Sequence, residues 1–191
     1  MNADVFSLYG SPRSEGFSSS IHDALLAPLK ETGLRIMEFN PYFSGVLPCT
    51  ACSFCKSNER CVNDDGMNAL YETLMTCSLV TVSSPVYFSG LSSPLKAFID
   101  RCQFIWERKG LVKPKAAFFM AAAGSAYEGT FDGLRIGIRH FFNTLNASFD
   151  EKEFIFLKGS DEMDGTPKEA LRTAGAIGKK YRAMLMQDGN E

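Results

Sequence analysis

Short apolar runs alternate with helical patterns along the whole chain, and this alternation restricts the fold more than any other feature. Between the runs, apolar residues recur three and four positions apart, as at Ile21, Leu25 and Leu29, which predicts amphipathic helices. Strands that alternate with helices form a parallel sheet, because each helix connects two parallel strands and packs on one face of the sheet. The sequence therefore predicts an α/β fold, a doubly wound five-stranded parallel sheet with helices on both faces.

The order of these elements also defines an insertion. The predicted strands cover residues 5–9, 34–39, 79–83, 116–123 and 152–157, and the predicted helices cover residues 17–29, 68–76, 91–106, 131–145 and 167–186. We expect residues 1–191 to form a single domain, since this length is sufficient for one full core. The segment from about 40 to 66 has no periodicity, and loops this long in compact domains are usually functional.

The composition argues against several classes of partner. The chain is 45% hydrophobic with a formal net charge of −2, so there is no electrostatic reason to expect nucleic acid or an anionic membrane. Its best apolar run, residues 116–124, has the length of a strand and is too short to span a membrane. The start, Met1-Asn2-Ala3-Asp4, lacks the basic and apolar stretches of a secretion signal. We therefore expect a cytoplasmic protein whose thiols stay reduced.

Four cysteines, Cys49, Cys52, Cys55 and Cys61, lie close together inside the insertion. Disulfides between cysteines this close would be strained and would close very short loops. Zinc usually binds two separated cysteine pairs, whereas a cubane iron–sulfur cluster spreads its thiolates wider, so one short segment wraps it. The run resembles the ferredoxin pattern, with Val62 where a proline is usual. It predicts four ligands of one [4Fe-4S] cluster, with structural zinc and free or disulfide-bonded thiols as the alternatives.

The segment between the first strand and the first helix is rich in serine. It lacks both the Gly-Lys-Ser/Thr ending of a P-loop and the G-x-G-x-x-G pattern of a dinucleotide site. A hydroxyl-rich turn before a helix suits a phosphate monoester, because backbone N–H groups and the helix dipole there favour a dianion. Ser11, Ser18 and Ser19 would add hydrogen bonds, and Arg13 would add charge. The alternative is a serine-rich helix cap on a surface loop.

Two further predicted strands end in loops of small and aromatic residues. The third strand runs into residues 83–90, which include Tyr87 and Phe88, and the fourth runs into residues 121–127. Because the carboxyl ends of parallel strands share one edge of the sheet, both loops would lie beside the serine-rich segment. Small residues and an aromatic pair suit a flat ring. Phosphate at one end and a planar ring at the other predict FMN.

Together these segments resemble the flavodoxin-like NADPH-dependent FMN reductase superfamily. The resemblance includes Gly10-Ser-Pro-Arg13, Gly16-Phe-Ser18, Ser84-Pro-Val-Tyr87 and Leu95-Lys-Ala-Phe-Ile-Asp-Arg101, and it extends over roughly residues 3–185. With its compact cysteine run, the chain resembles the iron–sulfur flavoprotein branch of this superfamily. The resemblance implies one FMN and one [4Fe-4S] cluster per chain, a homodimer or homotetramer, and electron transfer between the two centres.

The same resemblance implies roles for single residues. The residues that it places at the phosphate are Ser11, Arg13, Phe17, Ser18 and Ser19, and those that it places beside the ring are Pro85, Val86, Tyr87, Phe88 and Gly124. The cluster ligands that it implies are the four cysteines of the insertion. The superfamily commonly has asparagine where this chain has Phe17, so a side-chain contact is lost while the backbone amides remain. No residue is implied as a catalytic acid, base or nucleophile.

The expected function is that of an FMN-dependent redox protein. It would transfer electrons between the cluster, FMN and an external partner, which is a small molecule or a ferredoxin-like protein. One alternative is a cluster-free FMN or quinone reductase with NAD(P)H as its electron donor. An alternative of another class is a non-enzymatic flavin-binding module whose four cysteines hold structural zinc.

The remaining polar residues are expected to have structural roles. His22 has no catalytic partner nearby in the sequence, and we expect it at the surface or in a structural position. Lys96, Asp100 and Arg101 lie on one predicted helix, with Lys96 and Asp100 four residues apart. This spacing indicates an ion-paired helix face or a subunit contact.

Overall fold

The structure is a computed structural model that describes residues 3–188. Within these residues, the strands are β1 (Val5–Tyr9), β2 (Ile36–Phe39), β3 (Leu79–Pro85), β4 (Lys115–Ala122), β5 (Ala147–Ser148) and β6 (Ile155–Leu157). The α-helices are α1 (Phe17–Lys30), α2 (Asn68–Thr76), α3 (Ser93–Arg101), α4 (Gln103–Trp106), α5 (Asp132–Thr144) and α6 (Lys168–Asp188).

The strands form one parallel sheet in the order β2-β1-β3-β4-β5, and β6 also pairs with β4. The chain order reverses at β1, which pairs with β2 on one side and β3 on the other, and ligands of doubly wound sheets bind beside such reversals. The predicted doubly wound parallel sheet is therefore confirmed.

The fifth position of the sheet differs in detail from the prediction of one strand over residues 152–157. It is shared by two short strands, because β5 pairs with Lys115 and Ala116 at the start of β4, and β6 pairs with Met120 to Ala122 near its end. The five predicted strands thus become six among the described residues. The intervening residues 149–154 turn away from β4 and do not pair with it.

Helices cover both faces of the sheet, as the alternation of residues along β1 makes visible. Neighbouring residues of a strand point to opposite faces. The ring of Tyr9 stacks on that of His22 of α1, with centroids 4.2 Å apart. The ring of Phe6, three positions earlier and hence on the other face, stacks on Phe98 of α3 at 6.1 Å. Helices α1 and α3 therefore lie on opposite faces, and α6 packs beside α1.

Two helical predictions need adjustment. The single helix expected over residues 91–106 is interrupted at Cys102, where ψ is 5°, and forms α3 and α4 instead. The insertion over residues 40–66 contains only two short 3-10 turns, Pro41–Phe43 and Phe54–Lys56. These turns leave most of its backbone irregular, so its polar backbone groups need partners outside regular secondary structure.

Candidate functional site

A cavity of about 510 Å³ lies at the carboxyl ends of β1, β3, β4 and β6. This size is typical of small-molecule sites. The predicted flavin-site residues that line it are Ser11, Arg13, Phe17, Ser18, Pro85, Val86, Tyr87, Phe88 and Gly124. The tenth predicted residue, Ser19, lies outside this cavity, and its hydroxyl donates to the carbonyl of Arg13 at 2.8 Å. The structure thus brings nine of the ten predicted residues together.

The N-terminus of α1 presents backbone amides in the wall of this cavity. Its N-cap is Gly16, which has extended backbone and no side chain that could cap the helix. The first bond of the helix runs from the amide of Ser20 to the carbonyl of Gly16. The preceding amides, of Phe17, Ser18 and Ser19, therefore have no acceptor within the helix. Such amides and the helix dipole suit a phosphate dianion.

Hydroxyl and amide side chains hold the segment that precedes α1. The amide of Arg13 donates to Ser11 Oγ at 3.1 Å, and Asn40 Nδ2 donates to the carbonyl of Ser11 at 2.7 Å. The predicted phosphate hydroxyls of Ser11 and Ser19 thus already have protein partners that shape the loop. Asn40 was missed from the sequence, because it is far from Ser11 along the chain and lies at the start of the insertion.

A strained turn carries the aromatic pair at the opening of the cavity. Tyr87 and Gly90 exchange two backbone hydrogen bonds of 3.1 and 2.9 Å, so Phe88 and Ser89 form the tip of a two-residue hairpin. Both tip residues are left-handed, with φ of 49° and 56°. A side chain in this region costs about 1–2 kcal/mol. The ring of Phe88 is fully exposed, and such strain is typical of residues that contact ligands.

The loop after β6 also reaches the cavity, which the sequence analysis missed. Ser160 and Asp161 both line it. The amide of Ser160 donates to the carbonyl of Ala123 at 3.0 Å, and a Cβ at Gly124 would overlap the carboxylate of Asp161. Gly124 thus lets this loop approach the end of β4. The position of these residues directly after the last predicted strand would have predicted them by the rule that found the other loops.

All four cysteines of the insertion line a second cavity, of about 260 Å³. Cys49 and Cys52 are exposed, Cys55 and Cys61 are partly buried, and all are free thiols. The rest of the wall of this second cavity is formed mainly by residues near the end of α3 and in α4, including Arg101. Among the described residues, the two cavities have no lining residue in common.

The thiols of this second cavity interact but do not form a site for one metal ion. Burial, together with the charges of Cys61, Glu107 and Cys49, raises the pKa of the Cys55 thiol above its usual value. Within residues 3–188, however, no three cysteine, histidine or acidic side chains are grouped so as to hold a single ion. The cluster predicted for these four cysteines therefore stays a prediction.

A buried ion pair closes the base of the cysteine loop. Arg101, whose side chain is 1% exposed, pairs with the carboxylate of Asp65 through both of its terminal nitrogens. Its Nη1 also donates to the carbonyl of Leu47 at 2.9 Å, and Asp65 accepts from the amide of Leu47 at 2.9 Å. The base therefore joins residues that precede and follow the four cysteines.

The ion-paired helix face predicted for α3 is only partly correct. Lys96 and Asp100 do form an exposed pair, with Nζ 2.6 Å from Oδ1. Arg101 does not belong to this face, because it points into the protein toward Asp65. Burial would raise the pKa of Asp65, but the hydrogen bonds from Arg101 and Leu47 hold it below its usual value.

A second arginine holds the middle of the cysteine loop. Nη1 of Arg108 donates to the carbonyl of Cys55 at 3.0 Å, and Nη2 donates to the carbonyl of Asn58. The guanidinium also lies 3.9 Å from the centre of the Phe104 ring. Neither arginine could be assigned to the loop from its sequence position, since each is about 50 residues away from its carbonyl partner at Leu47 or Cys55.

His22 is a structural residue, and it is buried rather than at the surface. Its Nδ1 lies 2.9 Å from Ser83 Oγ, and its Nε2 lies 2.7 Å from Thr81 Oγ1. Burial lowers the pKa of its imidazole to about 3, and the charge of Lys30 acts in the same direction. His22 is therefore neutral near pH 7 and joins α1 to β3.

Helix α3 connects the two cavities. Ser92, just before α3, donates through its hydroxyl to the carbonyl of Gly10 at 2.7 Å, beside the first cavity. Arg101, the last residue of α3, lines the second cavity. With a rise of 1.5 Å per residue, the helix spans about 12 Å from its first residue to Arg101. The cysteine cavity thus lies at the end of α3 remote from the first cavity.

Comparison with known proteins shows that this chain is similar to redox flavoproteins. A family model described as NADPH-dependent FMN reductase matches residues 3–153. An iron-sulfur flavoprotein of Methanocaldococcus jannaschii is 31% identical over 140 residues, which are 72% of this chain and 70% of that protein. An iron-sulfur flavoprotein of Methanosarcina thermophila is 30% identical over 125 residues, and the match spans 65% of each protein, slightly under two thirds of that relative.

The fold is likewise found among solved structures. An FMN-dependent NADH-azoreductase of Bacillus anthracis, solved in complex with FMN, is similar to this chain with a TM-score of 0.66 at 15% identity. The match covers 97% of this chain and 99% of that one. In the range that the structure describes, no helix is both long and apolar enough to cross a membrane.

Proposed function

Since this chain belongs to the NADPH-dependent FMN reductase family, we propose that it moves electrons between a [4Fe-4S] cluster, FMN and an external partner. The protein is an FMN-dependent oxidoreductase of flavodoxin-like fold. The proposal concerns the cluster, the partner and the residues that hold the two groups. The observation that carries it is the set of four free thiols lining one cavity, separate from the cavity at the strand ends.

The strand-end cavity fits FMN in its size and its donors. The uncapped amides at the start of α1 would bind the phosphate, with Ser18 buried beside them and the exposed Arg13 supplying positive charge. Tyr87 and Phe88 would flank the ring, and Gly124 lets the cavity wall approach it closely. FMN supplies the redox chemistry, while the protein supplies binding, orientation and electrostatics.

The cysteine cavity fits a [4Fe-4S] cluster through its ligands and the charge of its wall. Four thiolates and a cluster core carry net negative charge, and the buried guanidinium of Arg101 lines the same cavity. A one-electron centre of this kind would exchange electrons with a small-molecule or ferredoxin-like partner. We further propose a cytoplasmic homodimer or homotetramer, because six free thiols suit a reducing compartment and the resemblance implies an oligomer.

A direct test begins with protein purified without oxygen. We expect one FMN per chain together with about four iron and four sulfide, since a cubane cluster has this content. Full zinc with substoichiometric iron would contradict the cluster. Exposure to air should lower the iron content first, because the thiols of Cys49 and Cys52 are exposed and oxidise readily once freed.

The Cys52→Ala variant tests whether the cluster lies on the electron path. It should lose the cluster and keep its FMN, because Cys52 is absent from the lining of the strand-end cavity. Reduction of the flavin by reduced ferredoxin should then slow at least tenfold, while reduction by dithionite should not change. Cys77→Ala is the matched control, since Cys77 is buried outside both cavities. Equal ferredoxin-driven rates in Cys52→Ala and the parent would refute the path.

A second candidate is a cluster-free FMN or quinone reductase with NAD(P)H as donor. The description of the matching family, NADPH-dependent FMN reductase, is the observation that favours it. This function predicts rapid bleaching of the flavin by NADPH in stopped-flow absorption, with the same rate in Cys52→Ala. If NADPH does not bleach the flavin although ferredoxin does, this candidate is excluded.

A further inference from the structure

Arg101 carries a buried N–H group that has no acceptor. An arginine has five N–H groups. The four on Nη1 and Nη2 face the carbonyls of Leu47 and Asn63 and the two oxygens of Asp65. The fifth, on Nε, is buried and has no hydrogen-bond partner among the residues that the structure describes. Buried polar groups are nearly always paired, so the partner of this donor is a water or a bound group outside the polypeptide.

The position of Arg101 indicates which partner this is. Arg101 lines the cysteine cavity together with Cys49, Cys52, Cys55 and Cys61. Burial opposes the charged form of its guanidinium, but the hydrogen bonds to Asp65 raise the pKa of this group above its usual value. Guanidinium groups stay protonated and present their donors in a rigid fork, so the fixed Nη contacts also fix the direction of Nε–H. Arg101 therefore places a pre-oriented donor on a residue of the cavity wall.

We propose that Arg101 sets the reduction potential of the centre held by the four cysteines, by donating its Nε–H to a sulfur of that centre and placing a buried positive charge beside it. This inference rests on the cluster proposed above. The residue would also keep the loop closed through Asp65, but its effect on the potential is separate from that anchoring.

The sign of the effect follows from charge. A [4Fe-4S] core of charge +2 with four thiolates has a net charge of −2, and one electron from an external reductant takes it to −3 without breaking a bond. A neighbouring cation and a hydrogen bond to sulfur stabilise the more negative state more strongly. Arg101 therefore raises the reduction potential, and removal of its charge lowers it.

The experiment is a redox titration of the cluster followed by electron paramagnetic resonance, in anaerobically reconstituted, FMN-loaded protein. Arg101→Gln should lower the equilibrium constant of one-electron reduction at least tenfold. This change corresponds to a fall of about 59 mV in the reduction potential of a one-electron couple. Arg108→Gln is the matched control. It also removes one positive charge and one loop anchor, but Arg108 does not line the cysteine cavity. We expect it to shift the constant less than threefold.

Asp65→Asn distinguishes the electrostatic role from the anchoring role. This change weakens the base of the loop as Arg101→Gln does, but it removes a negative charge and leaves the guanidinium uncompensated. The potential should therefore rise, opposite in sign to Arg101→Gln. If Arg101→Gln holds no cluster, Arg101→Lys takes its place. Lysine retains the charge near Asp65 but lacks the guanidinium fork with its Nε–H. Arg101→Lys should therefore lower the equilibrium constant of one-electron reduction at least threefold.

The outcomes separate this inference from the proposed function. A parent protein that holds no cluster after reconstitution ends the proposed function, and the inference falls with it. The inference alone is overturned if the equilibrium constants for one-electron reduction of the parent and Arg101→Gln clusters agree within threefold. Equal shifts in Arg101→Gln and Arg108→Gln also overturn it. If the Arg101 and Asp65 variants all lose the cluster, the ion pair only holds the base of the cysteine loop together, and the inference is overturned. Shifts of opposite sign support it.

Discussion

Mild acid should destabilise the fold through His22. Its imidazole is fully buried between Ser83 and Thr81, and burial lowers its pKa to about 3. In the unfolded chain, a histidine titrates near pH 6.5. Below that value the unfolded state binds a proton that the folded state does not accept, so the free energy of unfolding falls as the pH falls.

The size of the loss follows from the two pKa values. Between about pH 6.5 and 3, the slope is about 1.4 kcal/mol per pH unit. From pH 7 to pH 5, the loss amounts to about 2 kcal/mol, a large share of the stability of an ordinary domain. The Asp65 carboxyl, whose pKa lies below 3.8, adds to the loss only at lower pH. The interval from pH 7 to 5 therefore reports mainly on His22.

Guanidinium chloride unfolding of FMN-loaded protein at pH 7, 6 and 5 measures this loss. The His22→Gln variant should be less stable at pH 7 but should lack about 2 kcal/mol of the parent's pH dependence. His140→Gln is the control, since His140 is exposed on α5, and it should retain the parent's slope. Any pH dependence of FMN binding is common to all three proteins. An identical slope in His22→Gln and the parent would refute the assignment of the buried neutral imidazole.

Two further predictions concern the flavin cavity and the packing of Gly10 at the end of β1. Ser18→Glu should lower FMN affinity at least tenfold, measured by quenching of flavin fluorescence in apo-protein, because a carboxylate among the first amides of α1 would compete with the phosphate. Ser20→Glu, outside the cavity lining, should have a smaller effect, and equal losses would contradict the phosphate site. Gly10→Ala should cost about 1–3 kcal/mol in denaturant unfolding, since its Cβ would lie 2.7 Å from the Ser83 carbonyl oxygen. Gly33→Ala, where a Cβ meets nothing within 4 Å, should leave the stability nearly unchanged, and a similar loss there would refute the overlap.

The sheet could be predicted because its signal is local. Each long strand is an apolar run bounded by turn residues, and each crossover contains its own helical period. Strand β5 was missed because Ala147 and Ser148 are too few to form a pattern. The break at Cys102 was missed for a similar reason, since the apolar periodicity continues from Phe98 through Ile105 across the interruption.

The candidate site was predictable wherever it follows the ends of strands, and not where it depends on distant pairs. The rule for carboxyl ends brought together Ser11, Tyr87 and Gly124 without any knowledge of their contacts. The pair of Asp65 and Arg101 spans 36 residues, and no periodicity connects its members. A buried arginine also looks like a surface arginine in sequence, because only the fold determines which charged residues are enclosed.

The arrangement of anchors makes the two sites separable within one chain. The strand-end cavity is formed by loops of the sheet itself, whereas the cysteine loop is held on the helical layer by Arg101 and Arg108. The start of the insertion belongs to both parts, because Asn40 Nδ2 bonds the carbonyl of Ser11 and the hydroxyl of Tyr42 interacts with Tyr87 of the strand-end cavity. Changes in the cysteine loop that lie after Tyr42 should therefore leave the flavin cavity unaltered. This separation is the physical reason why Cys52→Ala should lose the cluster and still bind FMN.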